Sequence, residues 1–192
     1  AFGFNVYTLD GAIGAREALG AFGGGTVGVV IAGTPYKCPA APYEAAFLAE
    51  DLLRRRGVRG RSEVHMFAPE QQPLPVAGPA VGSAVRGLLE QRGIQYHPTF
   101  VLKEVNPDAK ELSFANGERV RLDLLLYVPP HRPAEVVARS LLAGTNKWVS
   151  EVDSRTLETP FANVFSIGDI NLIPVESGLP LPKAGVFAHH QA

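Results

Sequence analysis

"TVGVVIAGTPYKCPAAPYEAAFLAEDLLRRRG", residues 26–57, decides the fold. Its first eight residues are mostly apolar and rich in β-branched side chains, without polar alternation. That is the pattern of a strand buried on both faces of a parallel sheet. From Pro42 the spacing turns helical. Pro42 suits the first helical position, Glu44 and Glu50 lie toward the start, three arginines crowd the last turn, and Gly57 closes it. "SEVHMFAP" (62–69) reads as a second strand, so residues 26–69 form a βαβ unit. Upstream, "LDGAIGAREALGAF" (9–22) has helical spacing with Asp10 as the N-cap candidate, and Gly23–Gly25 end it. Downstream, "PAVGSAVRGLLEQRG" (79–93) is an amphipathic helix, and Ile94–His97 begin the next strand. Two hairpins follow, one across Asn106-Pro107-Asp108 and one across Asn116-Gly117. "DLLLYVP" (123–129) is another buried strand and "AEVVARSLLAG" (134–144) a helix. "NVFSIGD" (163–169) reads as a last strand, and "LPKAGVFAHHQA" (181–192) starts a helix. Strand–helix alternation with an inserted β-meander specifies an α/β fold, a Rossmann-like three-layer domain.

The 192 residues are 46% hydrophobic and 19% charged, a globular composition. A formal net charge of −1 gives no electrostatic footprint for nucleic acid. No apolar run approaches the roughly 18 to 20 residues that span a bilayer, and no Lys/Arg-led signal peptide opens the chain. The single cysteine excludes an intrachain disulfide and a cysteine-rich zinc site. The chain begins at Ala1 rather than Met and stops within a helical pattern, so a piece of a longer protein is expected.

Cys38 follows the first βαβ strand, where a dinucleotide domain would carry G-x-G-x-x-G. Gly33 is the only glycine before the helix, and Pro39 and Pro42 bracket the loop, so dinucleotide binding is not expected at this unit. Lys37 and the coming helix N-terminus both favour a thiolate, the reactive form. An inert buried cysteine fits the same spacing. Glu44 would serve as a general base for that thiol or its substrate, or would simply complement the helix dipole. Gly168-Asp169 places a carboxylate at a strand's end, where it can bond a sugar-alcohol hydroxyl. Lys183 stands just ahead of a helix start. His65 reads as packed or surface, and His97, before Pro98, as a loop residue. His65, His97, His131, His189 and His190 show no metal-ligand spacing.

Taken together, "GTPYKCPAAPYEAAFLAEDLL", "IQYHP", "FANVFSIGD" and "LPKAGVFAHHQA" resemble the sulfide:quinone oxidoreductase and flavocytochrome c sulfide dehydrogenase family, in order and approximate spacing. The resemblance implies two Rossmann-type domains, an NAD-like domain inserted in an FAD domain. Residues 1–24 would be a linker helix from the FAD domain, 25–130 the NAD-like domain, and 131–192 the connection and return into the FAD domain. It implies that Cys38 is one of a redox-active pair that carries sulfur while electrons pass to FAD and then to quinone or cytochrome. Gly168 and Asp169 match the second FAD motif, and Lys183, Ala184 and Gly185 match the helix start beside the flavin. Glu44 and His97 match positions where family members have an acid and a histidine.

The family's FAD-pyrophosphate glycines and the partner cysteine do not occur in this sequence. The isolated chain is therefore expected to be soluble and inactive, to hold FAD poorly, and to self-associate through apolar surface meant for the remainder of the FAD domain. The longer protein would be a peripheral membrane, periplasmic or cytoplasmic enzyme. Two other readings stay open: an NAD(P)H-dependent flavoprotein oxidoreductase, and a non-catalytic Rossmann-like binding or interaction domain.

Overall fold

The computed structural model describes residues 2–192, so Ala1, the first residue of the expected linker, lies outside the described residues. The chain forms two compact units. The first takes in the described residues up to Thr34 together with Ala40–Pro130, and the second Pro35–Pro39 with His131–Ala192.

In the first unit β1 (Gly3–Asn5) leads to α1 (Leu9–Ala21), then β2 (Gly25–Ile31), α2 (Ala41–Arg55) and β3 (Ser62–Phe67). After α3 (Pro79–Gln91) and β4 (Ile94–His97) come β5 (Leu102–Asn106), β6 (Glu111–Phe114) and β7 (Arg119–Arg121), and β8 (Leu124–Val128) ends the unit. Five strands make one parallel sheet in the order β1-β8-β2-β3-β4, while β5-β6-β7 form a separate antiparallel meander. The strand order follows from the βαβ crossovers seen in the sequence, with β8 returning beside β2. The described part of residues 1–24, expected as a linker helix, contains β1, which pairs with β8, and α1, which packs beside β1 and α2.

The two faces of the sheet are covered differently, giving three layers. Val30, Phe67 and Leu125 pack against Leu112, Phe114 and Leu122 from the meander and its exit. Gly28 shares that face, and a Cβ there would collide with the Leu122 side chain. The helical layer carries α2, whose Ala46, Ala49 and Leu53 are buried where it crosses the strands. Glu50, fully buried on α2, is paired with Arg54, Arg59 and Arg92, which ties α2 to the turn before β3 and to the end of α3.

The structure corrects three local readings. Thr8, not Asp10, caps α1: its extended backbone (φ −121°) lets Oγ1 accept the Gly11 N–H at 3.2 Å, and Asp10 already lies inside the helix. The helix expected over 134–144 shortens to α4 (Glu135–Ala138), and Leu141 beyond it stays exposed instead of packing an apolar face. The expected strand 163–169 is irregular, with a Glu158–Phe165 bridge and a 3-10 turn at Gly168–Ile170. Val164, Phe165 and Ile167 are exposed there, so the apolar run has no sheet to enter. The chain ends on α5 (Gly185–Gln191). Among the described residues no helix is long and apolar enough to cross a membrane.

Candidate redox-cysteine site

Cys38 lies in the second unit and is exposed, which removes the reading of an inert buried cysteine. Its φ of +50° is in the left-handed region, costly for any residue with a Cβ. Two backbone donors hold the turn. The Lys37 N–H donates to His131 Nδ1 at 2.6 Å, and the Cys38 N–H donates to the Lys183 carbonyl at 2.6 Å. Lys37 and Lys183 also form an isolated parallel bridge. Residues far apart in sequence, 38, 131 and 183, are thus brought to one place.

Lys183 is almost fully buried, and this decides what it can do. Its Nζ donates to the carbonyls of Asp169 (2.6 Å) and Asn171 (2.7 Å) and stands 3.9 Å above the Trp148 ring. Burial lowers its pKa to about 8, with Asp169 working against the shift and Lys37 adding to it. Its ammonium group is committed to these internal acceptors, so the residue clamps the Asp169–Asn171 turn. Asn171, itself buried, donates to the Ser166 carbonyl at 2.6 Å and accepts from the Ser166 hydroxyl.

Gly168, Asp169 and Lys183 line one small pocket with Phe187, Ala188 and Gln191. Gly168 has φ +72°, and a Cβ there would press on Ala188 at 3.2 Å, so glycine lets α5 come close. Its N–H donates to the Gln191 side-chain oxygen at 2.6 Å. Half-exposed Asp169 lines the same pocket. Ala184 has the extended backbone of an N-cap, and Gly185 opens α5 with open space at its missing Cβ. On the donor side, the Lys183 ammonium and the Gly168 N–H are already engaged by the protein, so what is left to meet a hydroxyl of a group such as FAD is the Asp169 carboxylate.

Glu44 and His97 belong to the first unit. Glu44 is exposed in the first turn of α2. His97 stacks on Phe67 at 4.5 Å and meets Phe100 at a tilt at 5.3 Å, on the meander side of the sheet. His65 Nδ1 lies 3.0 Å from His97 Nε2 and its Nε2 lies 3.2 Å from Glu63, so the two histidines form one hydrogen-bonded pair. Burial, then repulsion from His65, lowers the His97 pKa. Tyr43 of α2 meets Tyr96 on the opposite face. Glu44 and His97 therefore stand on opposite sides of the sheet and are not brought together. Sequence reasoning missed His131, Trp148, Asn171 and Gln191, whose roles arise from contacts across long stretches of chain that no local motif encodes. Among the described residues, no three His, Cys, Asp or Glu side chains gather as a metal site.

A family model described as pyridine nucleotide-disulphide oxidoreductase matches residues 10–192. The mitochondrial sulfide:quinone oxidoreductase of Dictyostelium discoideum is 29% identical over 145 residues, 73% of this chain and 32% of that protein. The chain thus spans about a third of the length of that curated relative. Among solved structures, the sulfide:quinone oxidoreductase of Aquifex aeolicus superposes with a TM-score of 0.73 at 22% identity, covering 96% of this chain and 44% of that one. An NAD-dependent persulfide reductase from A. fulgidus gives 0.67 at 17% identity, covering 98% and 33%.

Proposed function

We propose a function from this premise: the chain belongs to the pyridine nucleotide-disulphide oxidoreductase family, and its Cys38 serves an FAD-dependent enzyme that oxidises sulfide or a related reduced sulfur compound. Quinone or a cytochrome would be the final acceptor. The observation that carries this reading is Cys38 itself, exposed on a left-handed turn where a Rossmann domain would place its glycine loop. Two features argue against a pyrophosphate cradle at that position: Gly33 is the only glycine between β2 and α2, and Pro42 at the helix start lacks an N–H.

In the proposed reaction the Cys38 thiolate and hydrosulfide form a sulfur–sulfur bond. The sulfur stays on Cys38 as a persulfide, one proton leaves, and two electrons are released. FAD, when bound, supplies the two-electron acceptor. Asp169 would accept a hydroxyl of that group, and the Lys183 clamp would hold the Asp169 turn in place.

The test is anaerobic titration of the full-length flavoprotein with sulfide, following the flavin's visible band, beside Cys38→Ser. Bleaching by sulfide that the variant loses supports the reading. Bleaching by NADH with indifference to sulfide favours the nicotinamide alternative instead. A full-length protein without flavin would leave the binding-domain reading.

A further inference from the structure

The hydrogen bond from the Lys37 N–H to His131 Nδ1 fixes more than a distance. A backbone N–H only donates, so Nδ1 must be unprotonated, and the neutral ring keeps its proton on Nε2. The residue next to this bond is Cys38, a non-glycine residue at φ +50° that needs its flanking contacts to stay in place. On the other side of that strained residue, the Cys38 N–H is held by the Lys183 carbonyl.

We infer that His131 is a positioning residue for Cys38: by accepting the Lys37 N–H it holds the sulfur-carrying turn, and it does so only while its ring is neutral. Protonation puts a hydrogen on Nδ1, turns the acceptor into a donor facing another donor, and releases that end of the turn. The charged groups that bear on the ring are Lys37, from the cysteine loop, and Asp169, from the turn clamped by Lys183. Burial and then Lys37 lower the His131 pKa while Asp169 raises it, and the net shift is downward. The anchor is therefore intact at neutral pH and lost on acidification below the ordinary histidine range. The catalytic meaning of this anchor rests on the reading of Cys38 given above; the anchor itself does not.

Two variants and two readouts decide it in the full-length flavoprotein. In His131→Asn, Oδ1 lies near the position of Nδ1 and accepts at every pH; in His131→Ala the acceptor is gone. Trypsin cleavage after Lys37 reports release of the turn without reference to activity. His131→Ala is expected to be cut about tenfold faster at neutral pH, because cutting tracks the open population, while His131→Asn stays at the wild-type rate. In sulfide-driven flavin reduction every protein slows on acidification as hydrosulfide and the Cys38 thiolate protonate, and the wild-type fall is expected to be steeper than that of His131→Asn. Equal cleavage of all three proteins overturns the inference. So does an Asn variant that behaves like the Ala variant, since an acceptor at that position would then not matter. If Cys38→Ser leaves sulfide reduction unchanged, the sulfur reading falls, and the cleavage result still decides the role of His131.

Discussion

The two units of this chain are held together by different means. The first is built on apolar strands: β2, β3 and β8 bury valine, isoleucine, leucine, methionine and phenylalanine between the meander and α2. The second has Tyr36, Trp148, Val149 and Ile173 as its buried apolar residues among those described, and it buries Ser166, Asn171 and Lys183 beside them. Where the first unit repeats a regular ladder, the second depends on individual side chains reaching main-chain carbonyls. Regular pairing spreads stability over many equivalent contacts. A single ammonium on two carbonyls concentrates it, so one substitution can release a turn without touching a sheet.

The largest effect is expected in the first unit. Phe67 is buried at the centre of the aromatic stack, 5.2 Å from Phe114 and 4.5 Å from His97. Phe67→Ala should cost about 3–5 kcal/mol, from lost burial and the cavity left behind. Denaturant unfolding followed by far-ultraviolet dichroism would show it, and a loss below about 1 kcal/mol would mean the meander closes over the gap without cost.

In the second unit Lys183→Met leaves the Asp169 and Asn171 carbonyls without their donor and is expected to cost about 1–3 kcal/mol. Hydrogen exchange should locate the loss in residues 163–191 and leave β2 and β3 protected; uniform loss across the chain would break the contrast between the units. The pH dependence has a definite sign. With a folded pKa of about 8 against an ordinary 10.5, the unfolded chain binds more protons between those values. Stability therefore rises from about pH 8 to about 10.5, and Lys183→Met should flatten that rise.

The same contrast explains what could be read from the sequence. Residues 26–31 and 124–128 announce β2 and β8 because a strand buried on both faces must be apolar throughout. Asn116-Gly117 announces the β6–β7 turn, since Gly117 takes φ +91°. In the second unit the same logic misleads. "NVFSI" has strand composition, yet Val164, Phe165 and Ile167 are exposed and only one bridge forms. Cys38 and Asp169 stand out in the sequence by local pattern alone. The clamp of Lys183 on two carbonyls does not, because a lysine before a helix gives no sign of which way it turns. His131 had no motif at all, and its part is set by a partner 94 residues away.

The smallest effects compare two caps, one in each unit. In the first, Thr8 caps α1 from within its own turn, its Oγ1 accepting from Gly11 three residues on. In the second, Gln191 reaches back 23 residues to take the Gly168 N–H, where Gly168 also lets α5 pack against the turn at Ala188. Thr8→Ala should cost about 1 kcal/mol, and Asp10→Ala only a few tenths, since Asp10 sits inside the helix. Gln191→Ala should also cost about 1 kcal/mol, the worth of one hydrogen bond. Its consequence differs in kind, because the bond it removes joins the last helix to the Gly168-Asp169 turn. Exchange should quicken at Gly168 and along α5 together, whereas Thr8→Ala should quicken only the first turn of α1. If Gln191→Ala loosens α5 alone, the turn is held by Lys183 without help from the helix. The second unit would then rest on one clamp rather than two.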